Sequence, residues 1–200
     1  MGEFRYVVAG LGNPGPDYEM TPHNLGFLTV ARLAERHAAR LTRVECRALV
    51  GQAVIGGEKV LLAQPQTFMN LSGQSVKGLV EKYELGPDGV ILVYDDLDLP
   101  WGSLRIRERG SAGGHRGVED VIRCLGTMVF PRLRLGIDPG HPVRDSAKFV
   151  LAPFKSAQKQ ELGPWLDAAA DAVESMIAEG VAKAMTAHNR RAPGTKREEE

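Results

Sequence analysis

Short runs of apolar residues recur along the chain and predict buried β-strands. Three runs stand out, over residues 6–9, 60–63 and 90–94, and residues 132–137 predict a fourth strand in which apolar residues alternate with arginine. Because the three runs are nearly continuously apolar, they are typical of strands that are covered on both faces. Loops rich in glycine, proline and polar residues follow most of them.

Between these strands, apolar residues repeat with the period of a helix. We predict three amphipathic helices from positions spaced i, i+3, i+4 and i+7, with Thr21 and Ser72 as the N-caps of the first two. A long fourth helix is predicted over residues 162–187, with Pro164 in its first turn and Gly180 as a break. The three apolar faces comprise Phe27, Val30, Ala31 and Ala34; Val76, Leu79, Val80 and Tyr83; and Val118, Val121, Ile122 and Leu125.

The alternation of strands and helices predicts an α/β fold, in which a single domain contains a mixed, mostly parallel sheet with helices on both faces. We expect the domain to span residues 1–188 and residues 189–200 to form a flexible charged tail. A chain of 200 residues with 43% hydrophobic content suits one domain with a sizeable core. Open sheets of this type bind ligands beyond the carboxyl ends of their strands.

Composition narrows the class of protein further. The formal net charge is zero, which argues against a protein coated in basic charge but allows a local basic patch. The longest apolar runs are too short to span a membrane, and no secretory leader precedes the first strand. Cys46 and Cys124 lie far apart, as in reduced proteins of the cytosol. We therefore expect a cytoplasmic protein.

Residues 10–15 match the glycine spacing of the dinucleotide-binding fingerprint, which raises a nicotinamide-dependent oxidoreductase as one hypothesis. That fingerprint needs a helix to begin at once and donate its amide groups to the pyrophosphate. Pro14 and Pro16 remove two such donors. We prefer a tight turn that presents Asn13.

His23 is the predicted general base. It lies in the first turn of the helix expected after Thr21, where the positive end of the helix dipole keeps an imidazole neutral and able to accept a proton. Asp95, at the end of another predicted strand, is placed to orient the ring. The alternative is a histidine that contributes only polarity to a helix end. A His–Asp pair without a nucleophile activates water directly.

Signs of covalent or metal chemistry are missing from the sequence. It contains no Gly-x-Ser-x-Gly segment, and its five histidines are not at metal-ligand spacing. We therefore predict no metal site. Asp95, Asp96 and Asp98 present a magnesium site as an alternative, to which we prefer a polar loop with one functional acid.

Two sets of arginines alternate with apolar residues, and the period of two puts each set on one face of a strand. They are Arg105, Arg107 and Arg109, and then Arg132 and Arg134. The glycine-rich segment 110–117 opens a helix beside them, an arrangement that suits the phosphates of RNA. Phe68, if it lies near, offers a stacking surface for a base. The alternative is a solvated edge strand protected by its charge.

Four blocks of the sequence, in this order, resemble bacterial peptidyl-tRNA hydrolases. They are Gly10-Leu-Gly-Asn-Pro-Gly-x-x-Tyr-x-x-Thr-x-His-Asn-x-Gly26, Thr67-Phe-Met-Asn-Leu-Ser-Gly73, Asp95-Asp-Leu-Asp-Leu-Pro100 and Gly113-Gly-His-x-Gly117. A further segment, residues 149–154, also fits the family, so the resemblance extends over most of the chain. Four independent blocks are far more specific than any one motif.

The resemblance implies an enzyme that hydrolyses the ester between a peptide, or an N-blocked aminoacyl group, and the 3′ end of tRNA, and so recycles tRNA during translation. The family is typically monomeric and needs no cofactor. The implied catalytic set is His23 as base, Asp95 as its supporting acid, and Asn13, which positions the peptide and distinguishes blocked from free aminoacyl ends. The implied substrate and tRNA contacts are Tyr18, Phe68, Asn70 and Arg116 near the acceptor end, Met69, Asn24 and His115 in the cleft lining, and Arg105 and Arg134 on the tRNA backbone.

The sequence departs from the family pattern at two positions. The residue before His23 is usually Arg; here it is Pro22, which removes a positive charge but suits the first turn of a helix. The residue after His115 is usually Asn; here it is Arg116, which replaces an amide by a cation. A related RNA-binding protein that has lost catalysis is a second hypothesis, and the presence of all three catalytic residues favours the enzyme.

Overall fold

The computed structural model describes residues 3–189, in which a seven-stranded sheet carries helices on both faces. Its strands are β1 (Tyr6–Gly10), β2 (Arg43–Glu45), β3 (Ala48–Ile55), β4 (Glu58–Pro65), β5 (Val90–Pro100), β6 (Leu104–Arg109) and β7 (Val129–Asp138). Their order across the sheet is β2-β3-β4-β1-β5-β7-β6. The tail predicted for residues 189–200 lies, apart from Asn189, outside the described residues.

The four central strands, β4, β1, β5 and β7, run parallel to one another. Antiparallel strands flank them: β2 and β3 on the side of β4, and β6 on the side of β7. The predicted mixed α/β sheet is confirmed, and its parallel part is central. The three apolar runs and the alternating segment 132–137 lie within these four strands, each of which is buried between two helical layers.

Six helices cover the sheet in the described part of the chain. They are α1 (Leu25–Arg36), α2 (Ser72–Lys82), α3 (Arg116–Leu125), α4 (Ser146–Val150), α5 (Ser156–Ala178) and α6 (Val181–His188). Residues of α1, α5 and α6 belong to the hydrophobic core on one face, and residues of α2 and α3 belong to the core on the other. Among residues 3–189, none of the helices combines the length and the apolar character needed to cross a membrane.

The first predicted helix begins later than expected. A 3-10 turn over Pro22–Asn24 precedes α1, and His23 lies in this turn. Thr21 takes the predicted N-cap position, with Pro22 first in the turn, but its hydroxyl donates to the Tyr18 carbonyl at 2.7 Å and makes no capping hydrogen bond. Of the predicted α1 face, Val30 is buried whereas Ala31 is exposed.

Two further helix boundaries differ from the predictions. Ser72 is the first residue of α2, and its hydroxyl donates to the Met69 carbonyl at 2.7 Å, so it does not act as the N-cap. Pro164 lies inside α5 rather than in its first turn. Gly180 does separate two helices, as predicted, with a φ of +91° that favours glycine.

The end of β1 and the start of α1 are in close backbone contact. A Cβ on Gly10 would lie 2.1 Å from the Gly26 carbonyl oxygen, and a Cβ on Gly26 would lie 2.3 Å from the Leu11 amide nitrogen. Both positions therefore require glycine for close approach rather than for a special φ. The contact brings the loop after β1, with Asn13, next to the turn that carries His23.

Candidate active site

A cleft of about 610 Å³ lies where the loops after β1 and β4 meet the C-terminal half of β5, whose residues 95–98 line it. The segment before α3 and the helix α4 complete its walls. This position, beyond the carboxyl ends of parallel strands, is where open α/β sheets bind ligands. The predicted site residues that line it are Asn13, Tyr18, His23, Phe68, Met69, Asn70, Asp95, His115 and Arg116.

At the base of the cleft, two histidines share one carboxylate. The Nδ1 atom of His23 lies 2.9 Å and 3.1 Å from the two carboxylate oxygens of Asp95. The Nε2 atom of His115 lies 2.9 Å from Oδ1 of the same residue. The two imidazole rings are 4.8 Å apart, and Asp95 is 2% exposed.

The hydrogen bonds determine which ring nitrogen carries each proton. The backbone N–H of Val118 donates to Nδ1 of His115 at 3.3 Å, so the proton of His115 is on Nε2 and is donated to Asp95. His23 meets the same ionised carboxylate with Nδ1, which must therefore be its protonated nitrogen. The Nε2 atom of His23 is left as a proton acceptor, in a side chain that lines the cleft.

The charge of Asp95 is set by two opposing effects. Burial favours the neutral acid and acts to raise the pKa of Asp95. The two imidazoles, through charge and hydrogen bonds, together outweigh burial and hold the pKa of Asp95 well below its ordinary value. Asp95 is therefore ionised at neutral pH and can stabilise positive charge that forms on either ring.

Asn13 is held in one orientation by two neighbours. Its backbone N–H donates to Oδ1 of Asn24 at 2.8 Å, and its carbonyl accepts from Nδ2 of Asn24 at 2.9 Å. Its side-chain oxygen accepts from the Met69 amide at 2.9 Å. The remaining polar group, the side-chain NH₂ of Asn13, is thus oriented as a hydrogen-bond donor at the cleft wall. Asn24 itself does not line the cleft and acts through Asn13.

The outer part of the cleft combines an aromatic ring with a cation. Phe68 is 64% exposed, and Arg116, the first residue of α3, is exposed as well. Within the described residues Arg116 forms no ion pair. Tyr18 and Asn70 lie in the same lining. An exposed ring beside an unpaired guanidinium suits a base and a phosphate.

The two sets of arginines lie on the sheet as predicted, but one of their members, Arg132, is not accessible to a ligand. Arg105 lies directly opposite Arg134 on neighbouring strands, so both side chains are on one face of the sheet, outside the cleft. Nε of Arg134 donates to Asp96 at 2.6 Å. Arg132 is 1% exposed, so it cannot contact the phosphates of RNA in the way that the sequence pattern predicted for both sets of arginines. The loop before α3 covers it, which strand periodicity does not predict.

Comparisons with known proteins identify the family of this chain. The family model described as peptidyl-tRNA hydrolase matches residues 7–198. The chain belongs to the peptidyl-tRNA hydrolase family. A peptidyl-tRNA hydrolase of Solibacter usitatus is 54% identical over 97% of this chain and 99% of that protein. Another, from Koribacter versatilis, is 50% identical and is matched over 92% of each chain.

A solved structure of similar fold is also a peptidyl-tRNA hydrolase. The crystal structure of the Acinetobacter baumannii protein superposes with a TM-score of 0.86 at 33% identity, covering 94% of this chain and 96% of that chain. The family resemblance, the α/β fold and the class of hydrolase predicted from the sequence are confirmed. A dinucleotide-dependent oxidoreductase is excluded by the same finding.

Sequence reasoning missed one wall of the cleft of this peptidyl-tRNA hydrolase family member. Residues 146, 147, 150 and 151, on α4 and just after it, line the cleft opposite the loops of the sheet. A helix of five residues is too short for its apolar period to be recognised. The segment 149–154, which matches the family pattern, was the available signal.

Sequence spacing also missed a cluster of potential metal ligands. The ligand atoms of His23, Asp95 and His115 lie within 4.8 Å of one another. The hydrogen bond from Val118 places the proton of His115 on Nε2, which is the nitrogen that a metal ion here would have to take. The cluster therefore fits a hydrogen-bonded pair of histidines better than a metal centre.

Proposed function

We propose that this hydrolase of the peptidyl-tRNA family cleaves the ester between the peptide and the 3′ end of tRNA by direct attack of water, with His23 as general base. The observation that carries the proposal is the pairing of His23 Nδ1 with the buried, ionised Asp95, which leaves Nε2 as a proton acceptor in the cleft. No covalent intermediate forms on the protein.

In the proposed reaction, His23 is the one group of the protein that accepts and returns a proton. Nε2 of His23 takes a proton from water as the water oxygen attacks the ester carbonyl. The bond between the carbonyl carbon and the ribose oxygen then breaks, and His23 returns the proton to that oxygen. The products are a free tRNA 3′ end and a peptide carboxylic acid, which releases its remaining proton to solvent and becomes a carboxylate. Asp95 stabilises the transient imidazolium of His23.

His115 has a supporting role in this scheme. Its Nε2–H donates to Oδ1 of Asp95, which keeps the carboxylate ionised and fixed in position. Because His115 accepts a backbone N–H with its other nitrogen, it is held in this tautomer throughout the cycle. His115 therefore orients Asp95, whereas His23 exchanges the proton.

Asn13 and Asn70 supply the polar contacts to the acyl group. The side-chain NH₂ of Asn13 is oriented to donate to a carbonyl of the peptide, a contact that a blocked aminoacyl group offers and a free one lacks. Asn70, whose side chain has no hydrogen-bond partner within residues 3–189, donates to the developing oxyanion.

The tRNA end is bound by stacking and by charge. Phe68 and Tyr18 offer rings to the terminal base, and Arg116 contacts a phosphate near the acceptor end. Arg105 and Arg134 bind the tRNA backbone farther from the cleft.

We further propose that the protein acts in the cytoplasm as a monomer, without an obligate protein partner and without metal or cofactor.

The decisive experiment is release of tRNA from an N-blocked aminoacyl-tRNA. His23→Ala should keep the fold, measured by circular dichroism, and lower kcat by about 10²- to 10⁴-fold, which is the usual contribution of a general base. His141→Ala, at an exposed histidine outside the cleft, is the matched control. A His23→Ala variant with most of its activity would disprove the assignment, and equal cleavage of blocked and free aminoacyl-tRNA would contradict the role of Asn13.

A further inference from the structure

Arg132 is the largest fully buried side chain in the described part of the molecule, although it carries a charge. It lies on β7, where it faces the same side of the sheet as its register neighbour Leu92 on β5. Among residues 3–189 it forms no ion pair with a carboxylate. Burial of an uncompensated cation is unfavourable unless its donors are all satisfied.

Backbone carbonyls take the place of a carboxylate. The guanidinium donates to the Met128 carbonyl at 2.8 Å, to the Ser111 carbonyl at 3.3 Å and to the Phe130 carbonyl at 3.5 Å. It also stacks over the Phe130 ring at 4.1 Å. Ser111 and Met128 belong to different segments, so one side chain joins the loop before α3 to the start of β7.

The loop that Arg132 holds leads directly to His115. The Met128 carbonyl also accepts the Gly110 N–H, at 3.2 Å, where the loop leaves β6. Within the loop, the His115 N–H donates to the Ala112 carbonyl at 2.9 Å. The chain from the Ser111 carbonyl to the imidazole of His115 is therefore short and hydrogen-bonded.

A second contact runs through Tyr94. Its ring meets that of His115 edge-on at 5.2 Å, and it directly precedes Asp95 on β5. Burial raises the pKa of the Tyr94 hydroxyl, and the charge of Arg132 and its hydrogen bond with this hydroxyl oppose that rise. Arg132 thus supports His115 both through the loop and through the ring that packs against it.

We propose that Arg132 is a positioning residue for the reaction: it fixes the loop of residues 110–115 so that His115 stays hydrogen-bonded to Asp95. The proposal rests on the proposed role of the His23–Asp95 pair. Arg132 contacts neither water nor substrate, because the loop covers it. Its planar guanidinium donates hydrogen bonds to three carbonyls at once, a geometry that the ammonium group of lysine does not reproduce.

The test compares Arg132→Met and Arg132→Lys with the wild type on N-blocked aminoacyl-tRNA. Both should lower kcat by about 10- to 100-fold, since small misplacements of catalytic groups have effects of this size. KM should change by less than about threefold, because the tRNA contacts lie elsewhere. The hydrogen-bonded Nε2 proton of His115, observed by NMR, should shift or disappear in both variants.

A control separates positioning from general loss of stability. Leu166→Ala removes a buried side chain of α5, in the core on the other face of the sheet, and should lower Tm without lowering kcat or moving the His115 signal. If Arg132→Met does not fold, Arg132→Lys carries the comparison.

Wild-type kcat with an unchanged His115 signal in a folded Arg132 variant would overturn the proposal. So would the same losses in Leu166→Ala at an equal decrease in Tm. A wild-type protein without hydrolase activity would instead refute the proposed function, while the NMR signal would still report whether Arg132 positions His115.

Discussion

At the scale of single residues, Asp95 holds a negative charge in a buried position in the cleft. Its carboxylate is buried, and it accepts hydrogen bonds from two imidazoles that approach from different segments of the chain. Because the pKa of Asp95 lies well below its ordinary value, the folded protein releases this proton more readily than the unfolded chain does. Asp95 therefore couples folding to pH.

The consequence is a specific pH dependence of stability. A depressed pKa in the folded state stabilises the protein above the unfolded pKa, near 3.8, and this stabilisation is lost as the pH falls through the folded pKa. We expect the free energy of unfolding of the wild type to decrease, relative to that of Asp95→Asn, as the pH falls below about 4. Urea unfolding of both proteins across this range measures the difference, and parallel curves would contradict the expectation.

Contacts between ends of regular elements could be predicted from the sequence, whereas contacts made by the glycine-rich loop before α3 could not. The sequence predicts that His23 and Asp95 meet, because a helix start and a strand end lie at the same edge of an α/β sheet. The family resemblance places His115 in the same cleft, but the sequence does not predict its hydrogen bond to Asp95, since the course of a glycine-rich loop has no periodic pattern. For the same reason it predicts the face on which Arg132 lies, but not the loop that buries it.

At the scale of secondary-structure elements, the contact between β1 and α1 sets the position of His23. Gly10 and Gly26 allow two backbones to touch, and the turn that contains His23 ends just before α1 begins. Gly10, the first glycine of the spacing that suggests a nucleotide-binding loop in the sequence, thus has a packing role, which can be recognised only when both elements are in place.

This contact gives a testable effect. Gly26→Ala would place a Cβ 2.3–2.5 Å from backbone atoms of Leu11 and Val93, which cannot yield as a flexible side chain does. We expect a loss of about 1–3 kcal/mol in the free energy of unfolding and a lower kcat, because the shift moves His23. The matched control is Gly163→Ala in α5, where a Cβ meets nothing within 4 Å.

Gly163→Ala should instead increase stability by about 0.5–1 kcal/mol, as expected for alanine in place of glycine inside a helix. Chemical denaturation and steady-state kinetics of both variants provide the measurement. If Gly26→Ala were as stable and active as the wild type, the backbone contact would not position the turn.

Several elements could not be recognised from the sequence. The hairpin of β2 and β3 contains Gly51 and Gln52 within its longer strand, and this interrupts the apolar run by which the central strands are recognised. Thr21 is the N-cap of a 3-10 turn rather than of α1, and its hydroxyl bonds back to Tyr18 instead of to an amide of the turn. Local hydrogen bonds of this kind compete with helix capping and are not encoded in periodicity.

At the scale of the whole molecule, a net charge of zero conceals an uneven distribution. Acidic groups of α5 are neutralised by arginines of α1, as in the pairs of Arg32 and Arg36 with Asp167. On the opposite side, Arg105 and Arg116 form no ion pair within residues 3–189. The basic groups available to an RNA backbone thus lie around the cleft and along β6.

This distribution predicts salt-dependent binding of substrate. Each phosphate contact releases counterions, so KM for blocked aminoacyl-tRNA should rise with salt, and Arg105→Ala or Arg116→Asn should each reduce the slope of log KM against log salt by about one. Arg43→Ala, at the other edge of the sheet, should leave the slope unchanged. An unaltered slope in both test variants would place the tRNA elsewhere.

Asn189 forms hydrogen bonds with the outer edge of β6, the last strand of the sheet on this side. Its carboxamide donates to the Ile106 carbonyl at 3.0 Å and accepts from the Ile106 N–H at 2.6 Å, so it occupies the position that a neighbouring strand would take beside β6. The edge next to the face that we propose to bind RNA therefore offers fewer unpaired groups for strand addition. A basic edge strand can in this way stay accessible to the proposed nucleic-acid ligand while it is a poorer template for pairing with the strand of another molecule.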